Sequence, residues 1–125
     1  MYKNIAENID ISGFEEKILG ALGLAKRAGK LVIGAEMCEE TIRSGKAVLT
    51  LLCSDMSENS HKKLHAALRN ADSPYINLSS GKSTLAGRFG KKSFVVSCVI
   101  TDGGFAKIIY KALGIDGEDI LHESK

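Results

Sequence analysis

Ala47-Val48-Leu49-Thr50-Leu51-Leu52-Cys53 is apolar at every position but one, and it is strand-length. It does not alternate polar with apolar residues, which predicts a strand buried on both faces. A second such run is Ser93-Phe94-Val95-Val96-Ser97-Cys98-Val99-Ile100. Shorter strands are expected at Leu31 to Ile33 and at Tyr75 to Leu78. Between them the spacing turns helical. Phe14, Ile18, Leu19, Leu22 and Ala25 share one face of a helix that Ser12 can cap and Gly29 stops. Gly34 opens a second helix and Gly45 closes it. Asp55 or Ser57 can cap a third, reaching about Asn70 before the Asp72-Ser73-Pro74 turn. A short helix is expected near Ser83 to Ala86, and Asp102 caps a last one that ends at Gly114. Strands alternating with helices predict an α/β class protein, a three-layer α/β/α sandwich around a sheet covered on both faces.

Composition sets the class. The chain has 125 residues, 44% of them hydrophobic and 26% charged, which suits one soluble domain. No apolar run approaches the roughly 18 residues of a membrane span. Residues 1–16 are polar and acidic, which predicts no leader peptide. Three cysteines cannot all pair within the chain, so reduced core thiols and a cytoplasmic location are expected.

The formal charge of +2 hides a division. Residues 1–16 and residues 112–125 each carry −3, whereas residues 17–111 hold 15 basic and 7 acidic side chains, a net +8. The expected organisation is a mobile acidic segment at 1–13, a domain at 14–114 and an acidic tail at 115–125. A basic body suggests a polyanionic partner.

No catalytic constellation stands out. Gly81-Lys82-Ser83-Thr84 resembles the end of a phosphate-binding loop, but the glycine required five residues earlier is Ile76. His61 and His65 have helical zinc spacing without a third ligand nearby, and the cysteines lack C-x-x-C spacing. There is no G-x-S-x-G elbow. Asp55 and Asp102 follow strands and are better explained as helix caps. A non-enzymatic protein with no cofactor and no metal is expected.

The basic residues cluster. Lys26, Arg27 and Lys30 bracket the end of the first helix, and Arg43 lies at the end of the second. Lys82, Arg88, Lys91 and Lys92 crowd the segment before the last strand. If Lys30 and Gly34 face the Arg88 to Lys92 loop, the combined surface forms an RNA-backbone site.

The runs LGLAKRAGKLVIG (22–34), LTLLCSD (49–55), LAGRFG (85–90) and TDGGFAK (101–107), with an eleven-residue step from Gly34 to Gly45, resemble a known family. It is the kink-turn-binding ribosomal proteins of the L7Ae/L30e type, and the likeness is greatest to their small bacterial YlxQ-like branch. The resemblance covers about residues 17–113. It implies a mixed four-stranded sheet and a protein that binds structured RNA, often ribosomal, without catalysis. It also implies a site joining the glycine-led second helix to the loop before the last strand. Aligned on Gly34, this chain has Glu36, Met37 and Glu40 where kink-turn readers have asparagine, glutamate and lysine. An ionised carboxylate accepts hydrogen bonds and cannot donate to a base edge. Lys91-Lys92-Ser93 replaces an apolar loop, which favours backbone contact over base stacking.

The expected RNA-binding residues are therefore Lys26, Arg27, Lys30, Gly34, Glu36, Arg43, Lys82, Arg88, Lys91 and Lys92. The alternative is a protein-interaction module of the translation machinery, with Glu36, Glu39 and Glu40 turned to a basic ribosomal or translation protein. A monomer without membrane contact is expected in either case.

Overall fold

A computed structural model describes residues 1–115. Nine regular elements follow one another: α1 (Glu15–Arg27), β1 (Leu31–Ile33), α2 (Ala35–Arg43), β2 (Leu49–Leu52), α3 (Glu58–Ala71), β3 (Tyr75–Asn77), α4 (Lys82–Arg88), β4 (Ser97–Ile100) and α5 (Gly103–Leu113). The sheet order is β1-β4-β2-β3. β4 runs antiparallel to both its neighbours, and β2 and β3 are parallel. The registers Ile33↔Cys98 and Leu52↔Ser97 show that β1, β2 and β3 end where β4 begins. That end of the sheet is the upper rim.

Every residue of β2 and β4 is buried, because helices cover both faces. On one face, Ile18, Leu22, Leu85, Ile109 and Tyr110 of α1, α4 and α5 pack against Leu49, Leu51, Ile76, Cys98 and Ile100. On the other, Cys38, Ile42, Leu64 and Leu68 of α2 and α3 meet Leu52 and Val99. Each fully buried Leu or Ile contributes about 1.5–3 kcal/mol, so the two faces hold the layers together without metal or disulfide. The cysteines are unpaired and buried, and burial pushes Cys38 up to about 11 and raises Cys53 and Cys98 as well. All three are thiols at neutral pH. No helix among the described residues is long and apolar enough to cross a membrane.

Most helix ends follow the sequence. Ser57 caps α3, Asp102 caps α5 through the Gly104 amide, and Gly114 ends α5 in the left-handed conformation. Ser12 does not cap α1. Asp10 instead accepts from the Ser12 amide and hydroxyl and starts a single 3-10 turn over Ile11–Phe14, so α1 begins at Glu15. The strand expected from Ser93 begins to pair only at Ser97. Val95 donates to the Lys82 carbonyl (3.1 Å) and Val96 accepts from Cys53 (2.9 Å), so these residues tie the loop to α4 and to the end of β2.

The segment 1–13 is not the free acidic tail expected of it. β3 is an edge strand, and its unpaired backbone groups are a template for another chain segment. The Tyr75 amide donates to the Lys3 carbonyl and the Ile5 amide to the Tyr75 carbonyl, both at 3.0 Å. Ile5 and Ala6 are buried in the core. The Tyr2 hydroxyl lies 2.7 Å from Nδ1 of buried His65. The acidic tail, apart from Ile115, lies outside the described residues.

Two tests of this fold follow from its local chemistry. Gly34 has φ 112° and ψ 139°, which side chains rarely adopt, although a Cβ there would meet open space. Gly34→Ala therefore costs about 1–3 kcal/mol of backbone strain in urea unfolding. Gly20→Ala, in the exposed middle of α1, has the opposite sign and gains about 0.5–1 kcal/mol.

The second concerns acid. Burial, reinforced by neighbouring His61 and Arg69, lowers the pKa of His65, so its neutral form is favoured in the fold. The unfolded chain protonates first, and stability falls as pH drops below about 6.5. The urea midpoint should decline between pH 7.5 and 5.5, and His65→Asn should flatten that decline.

Candidate functional site

The glycine before α2 and the loop before β4 meet at the upper rim. The Gly34 amide donates to the Ser97 carbonyl (3.4 Å), which sets the N-terminus of α2 beside the start of β4. Glu36 and Met37 are exposed in the first turn of that helix. Across the rim, α4 begins on a carboxylate. Asp55 Oδ1 accepts from the Lys82 amide at 2.7 Å, and that hydrogen bond holds the Asp55 carboxyl below its ordinary range. A side chain at Gly81 would meet the same carboxylate at 3.0 Å. The Gly81-Lys82 turn thus already has an anion on its amide, so its likeness to a phosphate loop ends there. Glu15 fastens the turn before it by accepting from the Ser79 and Ser80 amides.

The Lys82 ammonium sits over the ring of Phe94, 4.9 Å from the centroid. Phe94 is 66% exposed, and Lys91, Lys92 and Ser93 beside it are exposed too. An apolar ring on the surface capped by a cation is a ready platform for a planar ligand. Lys91-Lys92-Ser93 favours backbone contact over stacking, and exposed Phe94 adds an aromatic ring next to it. It was read as part of a strand, and a buried strand hides its side chains. The available signal was its place directly after Lys91-Lys92-Ser93, at the polar end of the run.

The remaining basic residues divide. Lys26, Arg27 and Arg88 line one open cleft of about 260 Å³ together with Gly20, Gly23 and Phe89. It adjoins the rim through the chain itself, since Arg88 leads into Lys91 and the Lys91 amide bonds the Ala86 carbonyl. Arg88 also makes a two-pronged ion pair with Glu16, at 2.7 and 3.0 Å. Lys30 lies beside Lys26 and Arg27, its amide donating to the Ala25 carbonyl at 2.8 Å, but it does not reach the rim, since its carbonyl accepts from the Thr101 amide at the other end of β4. Extended backbone separates it from Gly34 by roughly 13 Å at about 3.3 Å per residue. Arg43, at the far end of α2, is paired with Glu39 at 3.1 Å. Gly34, Glu36, Lys82, Lys91 and Lys92 therefore stand on the rim and Arg88 on its flank, Lys26 and Arg27 continue that flank along α1 toward Lys30, and Lys30 and Arg43 lie at the lower end.

Nothing here gathers into a catalytic set among the described residues. Asp55 follows β2 and Asp102 follows β4, and antiparallel pairing puts them at opposite ends of the sheet. His61 and His65 stack at 4.1 Å between centroids, but no group of three metal-ligating side chains surrounds them.

Comparison with known proteins agrees with this architecture. Residues 16–110 match the ribosomal protein L7Ae/L30e/S12e/Gadd45 family. An RNA-binding protein YlxQ of Enterococcus faecium is 36% identical over 76% of this chain and 89% of its own length. The RNA-binding protein YlxQ of Bacillus subtilis (strain 168) is 38% identical over 74% of this chain and 90% of its own. A solved Bacillus halodurans protein of unknown function superposes with a TM-score of 0.68 at 28% identity, covering 78% of this chain and 97% of that one. A Giardia lamblia 15.5 kD RNA binding protein gives the same TM-score at 16% identity, covering 88% and 92%, a likeness of fold. With a family match across most of its length and two relatives above one-third identity, the chain belongs to the ribosomal protein L7Ae/L30e/S12e/Gadd45 family, in its YlxQ branch.

Proposed function

We propose that the chain is a non-enzymatic RNA-binding protein whose ligand is structured RNA, of ribosomal kind, met in the cytoplasm. The observation that carries this reading is the exposed Phe94 ring under Lys82, on a lysine-bearing loop beside the glycine-led start of α2. The names of its two curated relatives and the family point the same way. Lys82, Lys91 and Lys92 would neutralise phosphates while Phe94 stacks an unpaired base. Lys26, Arg27 and Arg88 would extend the backbone contact along the flank, where Gly20 and Gly23 leave room for close approach. Gly34 leaves the turn ahead of α2 open to close approach of the RNA backbone on the loop side. Lys30 and Arg43 lie at the lower end of the molecule and take no part.

Recognition of a standard kink-turn is altered. Glu36 places a carboxylate where an amide would donate, and Glu40 adds a second negative charge on an exposed position of the same helix. Met37, 57% exposed between them, also supports a second reading, a basic protein partner on this acidic helix. The double variant Glu36→Asn with Glu40→Lys separates the two. RNA recognition predicts tighter binding to a kinked RNA, whereas a protein partner would be lost from affinity capture with the variant.

Direct RNA binding has its own tests. Lys26, Arg27, Lys82, Lys91 and Lys92, which make no salt bridge among the described residues, and the Glu16-paired Arg88 face the proposed ligand. With about five contacts at 0.7 each, log affinity should fall with log salt at a slope near −3.5. Lys92→Glu should weaken binding uniformly across RNA sequences and reduce that slope by about 1. Phe94→Ala should cost about 1–3 kcal/mol with the slope unchanged, and Lys30→Gln should change neither quantity. A flat salt dependence in a filter-binding or anisotropy titration overturns the reading.

A further inference from the structure

At the opposite edge of the sheet, the segment paired with β3 helps to build a cleft that the proposed RNA face does not use. Tyr2, His61, Lys62, His65, Arg69 and Tyr75 line an open chamber of about 480 Å³, with Asn77 at its margin. Its aromatic rings brace one another. Tyr75 meets His65 edge-on at 4.8 Å, and Tyr2 lies 5.5 Å from Tyr75 and hydrogen-bonds His65. His61 covers the outer face of His65 at 4.1 Å and is itself exposed. The Arg69 guanidinium sits over Tyr2 at 5.3 Å and makes no salt bridge among the described residues. Lys62 has only an exposed pairing with Glu58 at 3.6 Å, which a stronger anion would displace. The chamber is thus a rigid wall carrying positive charge.

A second chamber of about 350 Å³ shares His61 and Asn77 with the first. It is lined by Leu52, Met56 and Leu78, with Ser54 exposed at its mouth. It opens beyond the ends of the parallel strands β2 and β3, with α3 connecting them. This is the position at which open α/β sheets commonly take ligands. An apolar compartment with polar groups at its margin, joined to a cationic one, has the division of chemistry that a nucleotide has. Its two subsites also meet the range of volume typical of small-ligand pockets.

We propose that this double cleft binds a nucleotide, with the base in the Leu52-Met56-Leu78 compartment and the phosphate on Arg69, Lys62 and His61. Asn77 and Ser54 supply the polar contacts to the base edge, and the exposed ring of His61 separates the two subsites. The nucleotide could be free or could be one unit of a single-stranded RNA, since the recognised chemistry is the same. Tyr2, which braces this wall, lies ahead of the family match at 16–110, whereas the other lining residues lie within it. The inference uses none of the rim cations: the base compartment opens on the β2–β3 side of the rim, beside Asp55, and the phosphate wall lies at the β3 edge, with β1 and Gly34 at the other.

The test is a titration of the full chain at pH 7.5, following the imidazole signals of His61 and His65, the Met56 methyl and the Asn77 side-chain amide by NMR. Probes are 5′-AMP, 5′-UMP, a ten-residue oligouridylate and inorganic phosphate. A mononucleotide should move the His61, Met56 and Asn77 signals saturably, with a dissociation constant below about 1 mM. Arg69→Gln and His61→Ala, both at exposed positions, should each weaken it about tenfold while the remaining amide spectrum stays native. Lys92→Glu should leave it unchanged, so a failure of the rim reading does not touch this one. An oligouridylate that binds at least tenfold more tightly through the same signals assigns the nucleotide to an RNA strand. Equal or weaker oligomer binding assigns it to a free nucleotide. The proposal is overturned if neither nucleotide nor oligomer moves these signals. It is equally overturned if phosphate alone reproduces the whole pattern, or if both variants bind as the parent does.

Discussion

The antiparallel insertion of β4 between β1 and β2 is the constraint on which the rim depends. β4 enters the sheet where the other three strands leave it. The loop that precedes it must therefore lie beside the ends of β1 and β2, next to the turns that follow them. That brings together residues as distant in sequence as Gly34, Asp55, Lys82 and Phe94. β4 has a hydrogen-bonded neighbour on each side and all four of its residues are buried, so the loop's downstream anchor belongs to the stable centre of the protein. Upstream, the loop is held by the Lys91 amide on Ala86 and the Val95 amide on Lys82. Phe94 projects from a short span fixed at both ends. Its exposure is therefore a property of fixed backbone, and a base stacking on it would lose little freedom in the protein.

What could be read from the sequence was whatever local chemistry determines. The caps at Ser57 and Asp102, the stop at Gly114 and the glycine opening α2 depend on a few neighbouring residues, and the two apolar runs are recognisable without knowing their partners. Lys30 stands at the end opposite Gly34 because extended β1 lies between them, a separation already contained in the strand expected over 31–33. Two features depended on the far side of the molecule. The unpaired edge of β3 captured residues 3–5, whose polar composition reads as a tail. Phe94 was assigned to a strand because periodicity marks where apolar residues fall and cannot mark where a ladder starts. Charge and spacing point to Gly34, Lys82, Lys91 and Lys92 as members of the candidate site, whereas the exposure of Phe94 shows only in the fold.

The carboxylates near the basic face fall into three groups. Asp55, Glu15 and Asp10 are spent on backbone amides, where they close turns and begin helices. Counting them against the lysines overstates how far the face is neutralised, because the amide dipoles they satisfy already absorb part of their field. Glu16 differs, since it pairs directly with Arg88. That pair is solvent-exposed, and exposed pairs are worth no more than about 1 kcal/mol. A phosphate with several cationic neighbours can outcompete Glu16 for Arg88. Glu36 and Glu40 differ again: neither satisfies a backbone amide or pairs with a cation among the described residues. They are the charges free to select a ligand.

Screening sharpens that distinction. At physiological salt the Debye length is about 8 Å, shorter than the span of the sheet, whose edge strands lie roughly 14 Å apart at about 4.8 Å per neighbour. A charge at one edge is therefore largely invisible at the other, and the net +2 of the chain predicts nothing about either. What a ligand meets at the rim is Lys82, Lys91 and Lys92 opposed by Glu36, a field that attracts phosphate on the loop side and resists it on the helix side. Such a field favours an RNA whose backbone follows the loop and flank while an unpaired base reaches Phe94, and it disfavours one that inserts its backbone along α2. Family membership supplies the scaffold. The placement of these few charges, resting on a strand order that local sequence does not encode, decides how a ligand can lie on it.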